Sequence, residues 1–247
     1  MFVATLVLVL VSVEAGYRYA RYKQHKFQIE KEAPVGAVVV ATLGLLAFLL
    51  AFTFGMAADR FENRRHALVD ETNAIETVYL RADLLAEPHR TEVRKILREY
   101  VEERLQWAGV EKFQVGRSVK ELHQQLWAQA VAVGERNPDS EVVSLFIDSV
   151  NEVLDLHTTR VMARERSRIP SSFWMVLYVV AFLALSAMGY HGGVAGTRRS
   201  PTMLAVAIAF SSVIAVIADL DRPGEGAINV SQQVMVDLRD WMGETIP

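Results

Sequence analysis

The sequence predicts an all-α membrane protein with four transmembrane helices and a helical hydrophilic insert between the second and third. The chain of 247 residues is 51% hydrophobic and 22% charged, which is apolar for a soluble domain but highly charged for a purely membrane-embedded one. Most of the charges fall between residues 59 and 168, and long apolar blocks flank that region. Within it the apolar residues recur with a helical period, and no β-alternation of useful length occurs.

The overall charge and the absence of cysteine exclude several classes of protein. The formal net charge is −3, whereas a nucleic-acid partner requires a concentrated basic surface. We therefore expect no nucleic-acid binding. The chain contains no cysteine, which excludes disulfides, thiolate metal sites and cysteine nucleophiles.

Four stretches are long enough to cross a lipid bilayer, whose apolar core of about 30 Å requires about 20 mainly apolar residues. They are residues 1–20, 35–58, 173–195 and 201–220. The first stretch could instead be a cleaved signal peptide. However, it lacks a basic start, and Glu14 falls where a cleavage site requires small residues. We interpret it as a retained span.

The second span carries a stripe of small residues with helical spacing: Ala37, Ala41, Gly44, Ala47, Ala51, Gly55 and Ala58. In lipid, small residues allow two helix backbones to approach closely, so this face is expected to meet another helix. A similar stripe on the fourth span comprises Ala205, Ala209, Ser212 and Ala215. The sequence leaves open whether these stripes pack within one subunit or between subunits.

No helix-breaking residue follows directly after Ala58, so the second span is expected to continue into the insert as one helix. A heptad-like seam supports this: Leu68, Thr72, Ile75, Tyr79, Ala82 and Ala86. A helix over residues 35–86 would be about 78 Å long.

Three further insert helices follow from local signals. Pro88 is expected to be the first residue of a helix that ends at Gly109. Ser118 and Glu121 predict a capping box for the next helix, which runs to Gly134. The last covers residues 141–168 and ends before a proline, with an apolar face formed by Phe146, Val150, Leu154, His157 and Val161.

Four charged residues in or beside the spans are candidate functional residues. Glu14 lies inside the first span, where a carboxylate is costly, and either a transport role or pairing with Arg18 explains it. Asp219, Asp221 and Arg222 follow the fourth span. Carboxylates are unfavourable at a helix C-terminus, so these acids are expected to have partners, with Arg222 the nearest.

Metal and catalytic signals are weak. Asp219, Asp221 and Glu225 form a candidate cation site, although their spacing matches no established loop. No cofactor is expected, and the absence of any nucleotide-binding, zinc-protease or serine-hydrolase motif argues against an enzyme. Beyond this region Ser231 is expected to cap a short amphipathic helix with Val234, Leu238 and Trp241 on one side. Such a helix suits the membrane interface.

These signals divide the chain into four segments. Residues 1–58 hold the first two transmembrane helices and residues 59–170 the hydrophilic insert. Residues 171–220 hold the last two transmembrane helices, and residues 221–247 form the interfacial tail.

Two stretches carry a resemblance to a known family. One is GLLAFLLAFTFGMAADRFENRRHALVDETNAIETVYLRADLL, residues 44–85, and the other is LDRPGEGAINVSQQ, residues 220–233. With the four spans and the insert, they resemble the bacterial bestrophin-like domain family of unknown function, which is distantly similar to bestrophin anion channels. The most specific pieces are ETNAI at residues 71–75 and LDRP at residues 220–223.

The resemblance implies a pentameric anion channel whose second span lines a pore with an apolar neck. Leu45, Phe48, Leu49 and Phe52 would form that neck in this chain, because their spacing places them on one face of the helix. Two departures separate the sequence from animal bestrophins. The acidic calcium clasp after the fourth span is absent, with only Asp219, Asp221 and Glu225 nearby, and the insert is short.

Two functions are therefore expected from the sequence. The first is a homo-oligomeric ion channel in the bacterial inner membrane, with the lipid bilayer and ions as its partners. The alternative is a membrane-anchored scaffold or sensor whose insert binds a partner protein without transport. Seven basic residues flank the spans on each side. The positive-inside rule gives more weight to basic residues in short loops, which places the short loops in the cytoplasm and the insert outside it. The resemblance instead places the insert inside the cytoplasm.

Overall fold

The computed structural model describes residues 2–26, 32–106, 117–165, 168–196, 201–224 and 226–244. These residues form eight α-helices and one 3₁₀ turn at Ala82–Leu84. The helices are α1 (Phe2–Lys26), α2 (Glu32–Arg81), α3 (His89–Gln106), α4 (Arg117–Arg136), α5 (Glu141–Glu165), α6 (Ser171–Val194), α7 (Pro201–Leu220) and α8 (Gln233–Glu244). The all-α fold class is confirmed.

The chain divides into two compact units. The membrane unit comprises Met1–Asp59 and Arg168–Arg222, and the insert unit comprises Arg60–Ser167 and Pro223–Pro247. Four of the described helices, α1, α2, α6 and α7, are long and apolar enough to cross a membrane. Helix α2 is continuous from the membrane unit into the insert unit, which confirms that the second span extends as one long helix. The chain is a multi-pass membrane protein.

Helices α1 and α6 pack at unusually short range through glycines. A Cβ added at Gly16 would overlap the carbonyl group of Ser186, and one added at Gly189 would overlap the carbonyl group of Val13. One turn further along, a Cβ at Gly193 would lie 2.5 Å from the Cβ of Ala20. Close backbone contact of this kind supplies the dispersion energy that holds helices together in lipid.

The membrane segment of α2 is buried on one face only. Leu46, Leu50, Thr53 and Ala57 form this face and are each at most 4% exposed. The small-residue stripe lies on the opposite side of the helix. Its members Ala37, Ala41, Gly44, Ala51 and Gly55 are exposed, and no atom lies within 4 Å of a Cβ built at Gly44 or Gly55. At these two glycines the stripe therefore meets no helix of the described residues, and a contact between subunits stays a prediction.

The insert unit has its own hydrophobic core, formed by the second part of α2 together with α3, α4, α5 and α8. Five of the six predicted seam residues of α2 are buried: Leu68, Thr72, Ile75, Tyr79 and Ala82. Ala86 lies beyond the helix and is exposed. Tyr79 is fully buried, and its hydroxyl donates to the carbonyl oxygen of Met242 at 3.2 Å.

The predicted starts of two insert helices are displaced, by one residue for α3 and by two for α4. Helix α3 begins at His89, and the carbonyl of Pro88 accepts a hydrogen bond from the amide of Glu92 at 3.1 Å. Pro88 thus occupies the capping position rather than the first helical position. Helix α4 begins at Arg117, so Ser118 lies inside the helix and not at its cap. Gly109, the predicted end of α3, lies outside the described residues.

The tail helix α8 belongs to the core of the insert unit, which corrects its expected place at the membrane interface. The backbone amide of Gln233 donates to the Ser231 hydroxyl at 3.3 Å, so Ser231 stands at the start of the helix as expected. The buried side chains are Met235, Leu238 and Met242, while Val234 is 38% exposed. Of the three predicted face residues, Leu238 is buried and Trp241 packs against the core, whereas Val234 was wrongly assigned to this face.

We predict that Gly189→Ala destabilises the membrane unit, because the new methyl group must push α1 away from α6. Overpacking of this kind costs about 1–3 kcal/mol. Gly243→Ala in α8 is the control, since the same methyl group meets no atom within 4 Å there and Gly243 lies outside the α2 stripe. The measurement is the thermal unfolding midpoint of the full chain in detergent. Equal midpoints for the two variants would contradict the close α1–α6 contact.

Candidate functional site

The four neck candidates lie on an outward face of α2. Leu45, Phe48 and Phe52 are 50%, 65% and 55% exposed, and Leu49 is half-buried. Phe48, Leu49 and Phe52 also line an apolar groove of about 360 Å³ against the start of α6. The described membrane unit thus presents a continuous apolar surface here, and the assignment of these residues to a neck stays a prediction.

A second apolar groove lies on the other side of α2. It has a volume of about 560 Å³ and runs between α2 and α7, lined by Ala47, Leu50, Ala51, Phe54, Ala209, Phe210, Ser212, Val213 and Val216. Parts of both small-residue stripes thus border this groove without closing it. Small side chains on both walls leave room for another helix.

Two of the four charged candidates of the membrane unit, Glu14 and Asp221, have identified partners, and Asp219 and Arg222 also make contacts with the protein. The Glu14 carboxylate accepts a hydrogen bond from Nε of Arg18 at 2.6 Å, which is the pairing that the sequence left as an alternative. Asp221 is 5% exposed, and its Oδ1 accepts from the backbone amide of Ile169 at 2.7 Å. That amide lies just before α6, so the carboxylate also faces the favourable end of a helix dipole. Asp221 thus has a backbone amide as a partner, whereas the sequence had suggested the side chain of Arg222.

The candidate cation site is not completed by the described residues. No group of three or more histidine, aspartate or glutamate side chains in the described part of the chain is arranged to hold a metal ion. Glu225 lies outside the described residues, and Asp221 is engaged with Ile169. A metal at Asp219, Asp221 and Glu225 therefore stays a prediction.

The main polar cluster of the chain lies in the insert unit and centres on Glu71, which is fully buried. Nη2 of Arg104 lies 2.8 Å from Oε2 of this carboxylate, and Nε of Arg160 lies 2.8 Å from the same oxygen. The Tyr100 hydroxyl donates to Oε1 at 2.8 Å and lies 2.9 Å from Nδ1 of His157. One carboxylate therefore joins α2 to α3 and α5.

Charge pairing decides the protonation state of this cluster. Burial alone would raise the pKa of Glu71, but the nearby Arg160, His157 and Arg104 together hold it well below its usual range. Burial raises the pKa of Tyr100 well above its usual value, and the neighbouring Glu71 charge adds to this. At neutral pH the cluster therefore contains a carboxylate, a neutral phenol and two guanidinium groups.

A second histidine extends the cluster. The ring of His123 packs edge to face on His157, with 4.6 Å between centroids, and lies 5.2 Å from the ring of Tyr100. Burial lowers the pKa of His123 to about 4, and the nearby His157 contributes to the shift. Its Nε2 is buried and makes no hydrogen bond to the described residues. His123 is therefore neutral in the folded protein at physiological pH.

Sequence reasoning missed this cluster, although signals for it were present. ETNAI was noted only as a family marker, and its first residue is Glu71. Arg104 lies one turn after Tyr100 on the buried face of α3, and Arg160 lies three residues after His157 on the buried face of α5. A charged residue on an apolar helix face is the signal that identifies such positions.

We predict that Glu71→Gln destabilises the insert unit by about 3–5 kcal/mol, because two buried guanidinium groups lose their counter-charge. Asp70→Asn is the matched control, since it removes a carboxylate from the neighbouring exposed position. The measurement is chemical unfolding of the full chain in detergent, followed by circular dichroism. A stability loss no larger than that of the control would show that the ion pairs contribute little.

We also predict that stability falls as the pH is lowered from about 6.5 towards 4. In this window the unfolded chain protonates His123 at the usual histidine pKa of about 6.5, whereas the folded chain does so only at a pKa of about 4, so acid favours unfolding. The depressed pKa of Glu71 acts in the same direction below the usual glutamate pKa. His123→Phe removes the first contribution, and its melting temperature should depend less on pH between 6.5 and 5. Parallel profiles would contradict the assignment.

Comparison with known proteins agrees with this architecture. A bestrophin-like domain model matches residues 6–235. A crystal structure of a bacterial bestrophin homolog from Klebsiella pneumoniae is similar over 100% of both chains, with a TM-score of 0.68 and 16% identity. A mutant of that homolog gives a TM-score of 0.69 at 14% identity over 98% of each chain.

A further crystal structure, described only as a membrane protein, gives a TM-score of 0.73 at 14% identity over 98% of this chain and 97% of that one. No curated protein sequence matches the chain. At these identities the solved structures establish the shared fold, while the domain model covers almost the whole sequence. The chain belongs to the bestrophin-like domain family.

Proposed function

We propose that the protein is a homo-oligomeric ion channel of the bacterial inner membrane that conducts anions through a pore lined by α2. The observation that carries the proposal is the outward face of α2, where Phe48 and Phe52 are more than half exposed. The small-residue stripe lies beside them, and no described atom lies within 4 Å of a Cβ built at its Gly44 or Gly55. Family membership supports the same assignment, and the resemblance to bestrophins sets five as the expected number of subunits.

The composition of this face favours contact between subunits over simple exposure to lipid. Lipid tails pack equally well on large apolar side chains, so lipid alone gives no reason for alanine and glycine at successive turns. Small residues allow neighbouring α2 helices to approach one another. In such a ring Phe48 and Phe52, about one turn apart, would form a narrow apolar neck. An apolar constriction of this kind controls conduction by excluding water until it widens.

The charge of α2 supports an anion preference. Residues 35–58 contain no aspartate or glutamate, so the membrane segment of α2 offers no carboxylate ring of the kind that cation channels use for selection. A large, weakly hydrated anion also loses its water more readily at an apolar constriction than a small cation does. The resemblance to bestrophin anion channels and this missing acidic ring support the proposed anion preference.

We predict that the full chain in liposomes supports chloride flux and that Phe48→Ala raises the flux severalfold, because the mutation widens the narrowest apolar ring. Leu50→Ala is the matched control on the same helix, since Leu50 is 3% exposed and faces the membrane unit itself. The measurement is chloride efflux under a defined gradient. No flux from either the wild type or Phe48→Ala would overturn the channel and favour a membrane-anchored scaffold.

Cysteine cross-linking provides the structural check on the same preparation. The chain has no native cysteine, so Phe48→Cys introduces a single thiol. Oxidation should join subunits through this position and block the flux. Leu50→Cys, on the buried face of α2, should give no cross-link. If Phe48→Cys formed no cross-link in a preparation that conducts chloride, the assignment of Phe48 to the neck would be wrong. The proposal that the protein is a channel would still hold.

A further inference from the structure

The insert unit contains a cavity whose polar wall consists mainly of arginines. Its volume is about 270 Å³, and the arginines that line it are Arg64, Arg104, Arg160 and Arg164. No aspartate or glutamate of the described residues belongs to the lining. Four guanidinium groups around one small cavity form a strongly positive environment, which fits an anion better than any other ligand class.

Three helices of the insert unit supply these arginines. Arg64 is on α2, Arg104 on α3, and Arg160 and Arg164 lie one turn apart on α5. The first three are 7%, 2% and 6% exposed. Arg64, Arg160 and Arg164 make additional contacts with the protein, so the wall is held in place by the fold and does not depend on a ligand.

The buried carboxylate of Glu71 positions two of the four arginines. Arg104 donates to it through Nε and Nη2, while Arg160 approaches it through Nε.

The loop between α7 and α8 forms another part of the wall. Gly224 has φ of 83°, a conformation that favours glycine. The amide of Gly224 donates to Oδ1 of Asn229 at 3.0 Å, and Nδ2 of Asn229 donates to the carbonyl oxygen of Gly226 at 2.8 Å. A Cβ at Gly224 would lie 3.4 Å from Nη2 of Arg164. The loop is therefore built closely against the arginine wall.

The remaining side chains of the cavity wall are mainly apolar groups and carboxamides. Its apolar side chains are Phe61, Leu68, Ile228 and Val230, and its amide side chains are Asn229 and Gln232. An inorganic ion alone would make no apolar contact with this part of the wall. A ligand with an oxyanion head and a short apolar body matches both parts of the cavity.

We propose that this cavity binds a small organic anion with a phosphate or carboxylate head. The head would contact the guanidinium groups that line the cavity. The apolar body would lie against Phe61 and Ile228. This site goes beyond the channel function and is confined to the insert unit. The same head chemistry occurs in soluble metabolites and in the headgroups of anionic lipids.

The test uses the full chain in nanodiscs of phosphatidylcholine, with phenylphosphate as the probe and isothermal titration calorimetry as the readout. We expect phenylphosphate to bind, and to bind more tightly than inorganic phosphate because of its apolar ring. Arg64→Gln should weaken the affinity by about tenfold or more, because a charge-assisted hydrogen-bond donor is lost. Arg65→Gln is the matched control. It changes the next residue, whose side chain is 63% exposed, and should leave the affinity unchanged.

A second variant keeps the test valid if Arg64→Gln fails to fold. Ile228 lies on the cavity wall and is 36% exposed, so Ile228→Trp should fill the cavity without removing a charge and abolish binding. Absence of phenylphosphate binding by the wild type at millimolar concentration would overturn the proposal. Equal affinities for the wild type, Arg64→Gln and Ile228→Trp would overturn it too.

Nanodiscs that contain phosphatidic acid distinguish the two sources of the anion. Weaker apparent binding of phenylphosphate in these discs would show competition by a lipid headgroup, whereas unchanged binding would assign the cavity to soluble anions. Both results support the site. Binding is measured without ion flux, so its outcome is independent of whether the protein is a channel.

Discussion

The buried carboxylate of Glu71 is the constraint on which the insert unit depends. A charge without water is costly, and it is retained only when partners surround it. Here Arg104 and Arg160 come from two other helices, and Tyr100 completes the contacts of the same carboxylate. Apolar packing alone tolerates sliding of one helix along another, whereas these directional contacts fix the register of α2, α3 and α5. The positive cavity follows, because the same contacts position two of its arginines.

The membrane unit depends on a different interaction, the close contact between α1 and α6. In lipid the hydrophobic effect gives little drive for helix association, so short backbone distances must supply dispersion energy instead. Gly16, Gly189 and Gly193 make those distances possible. On α2 the small residues are exposed instead. Packing of this stripe on a helix of a second subunit stays a prediction.

Much of the fold could be predicted from sequence, because transmembrane spans are signalled by local hydropathy. The predicted fourth span, 201–220, has the same bounds as α7, and α2 extends beyond its apolar segment as expected. The Glu71 cluster could not be predicted in the same way, because its members are 33 and 89 residues away from Glu71 along the chain. Local patterns mark Arg104 and Arg160 as unusual, but only the folded structure shows that they share one carboxylate.

The tail motif shows how one short sequence serves both units. Asp221 ends α7 and is bound to the amide of Ile169 at the start of α6, so its role lies in the membrane unit. Three residues later, Gly224 adopts a conformation that favours glycine and helps to form the arginine-lined cavity of the insert unit. Pro223, between them, cannot continue a helix readily. The carboxylate, the proline and the glycine therefore meet three separate physical requirements, which explains why a hydrophobic span ends in so polar a sequence.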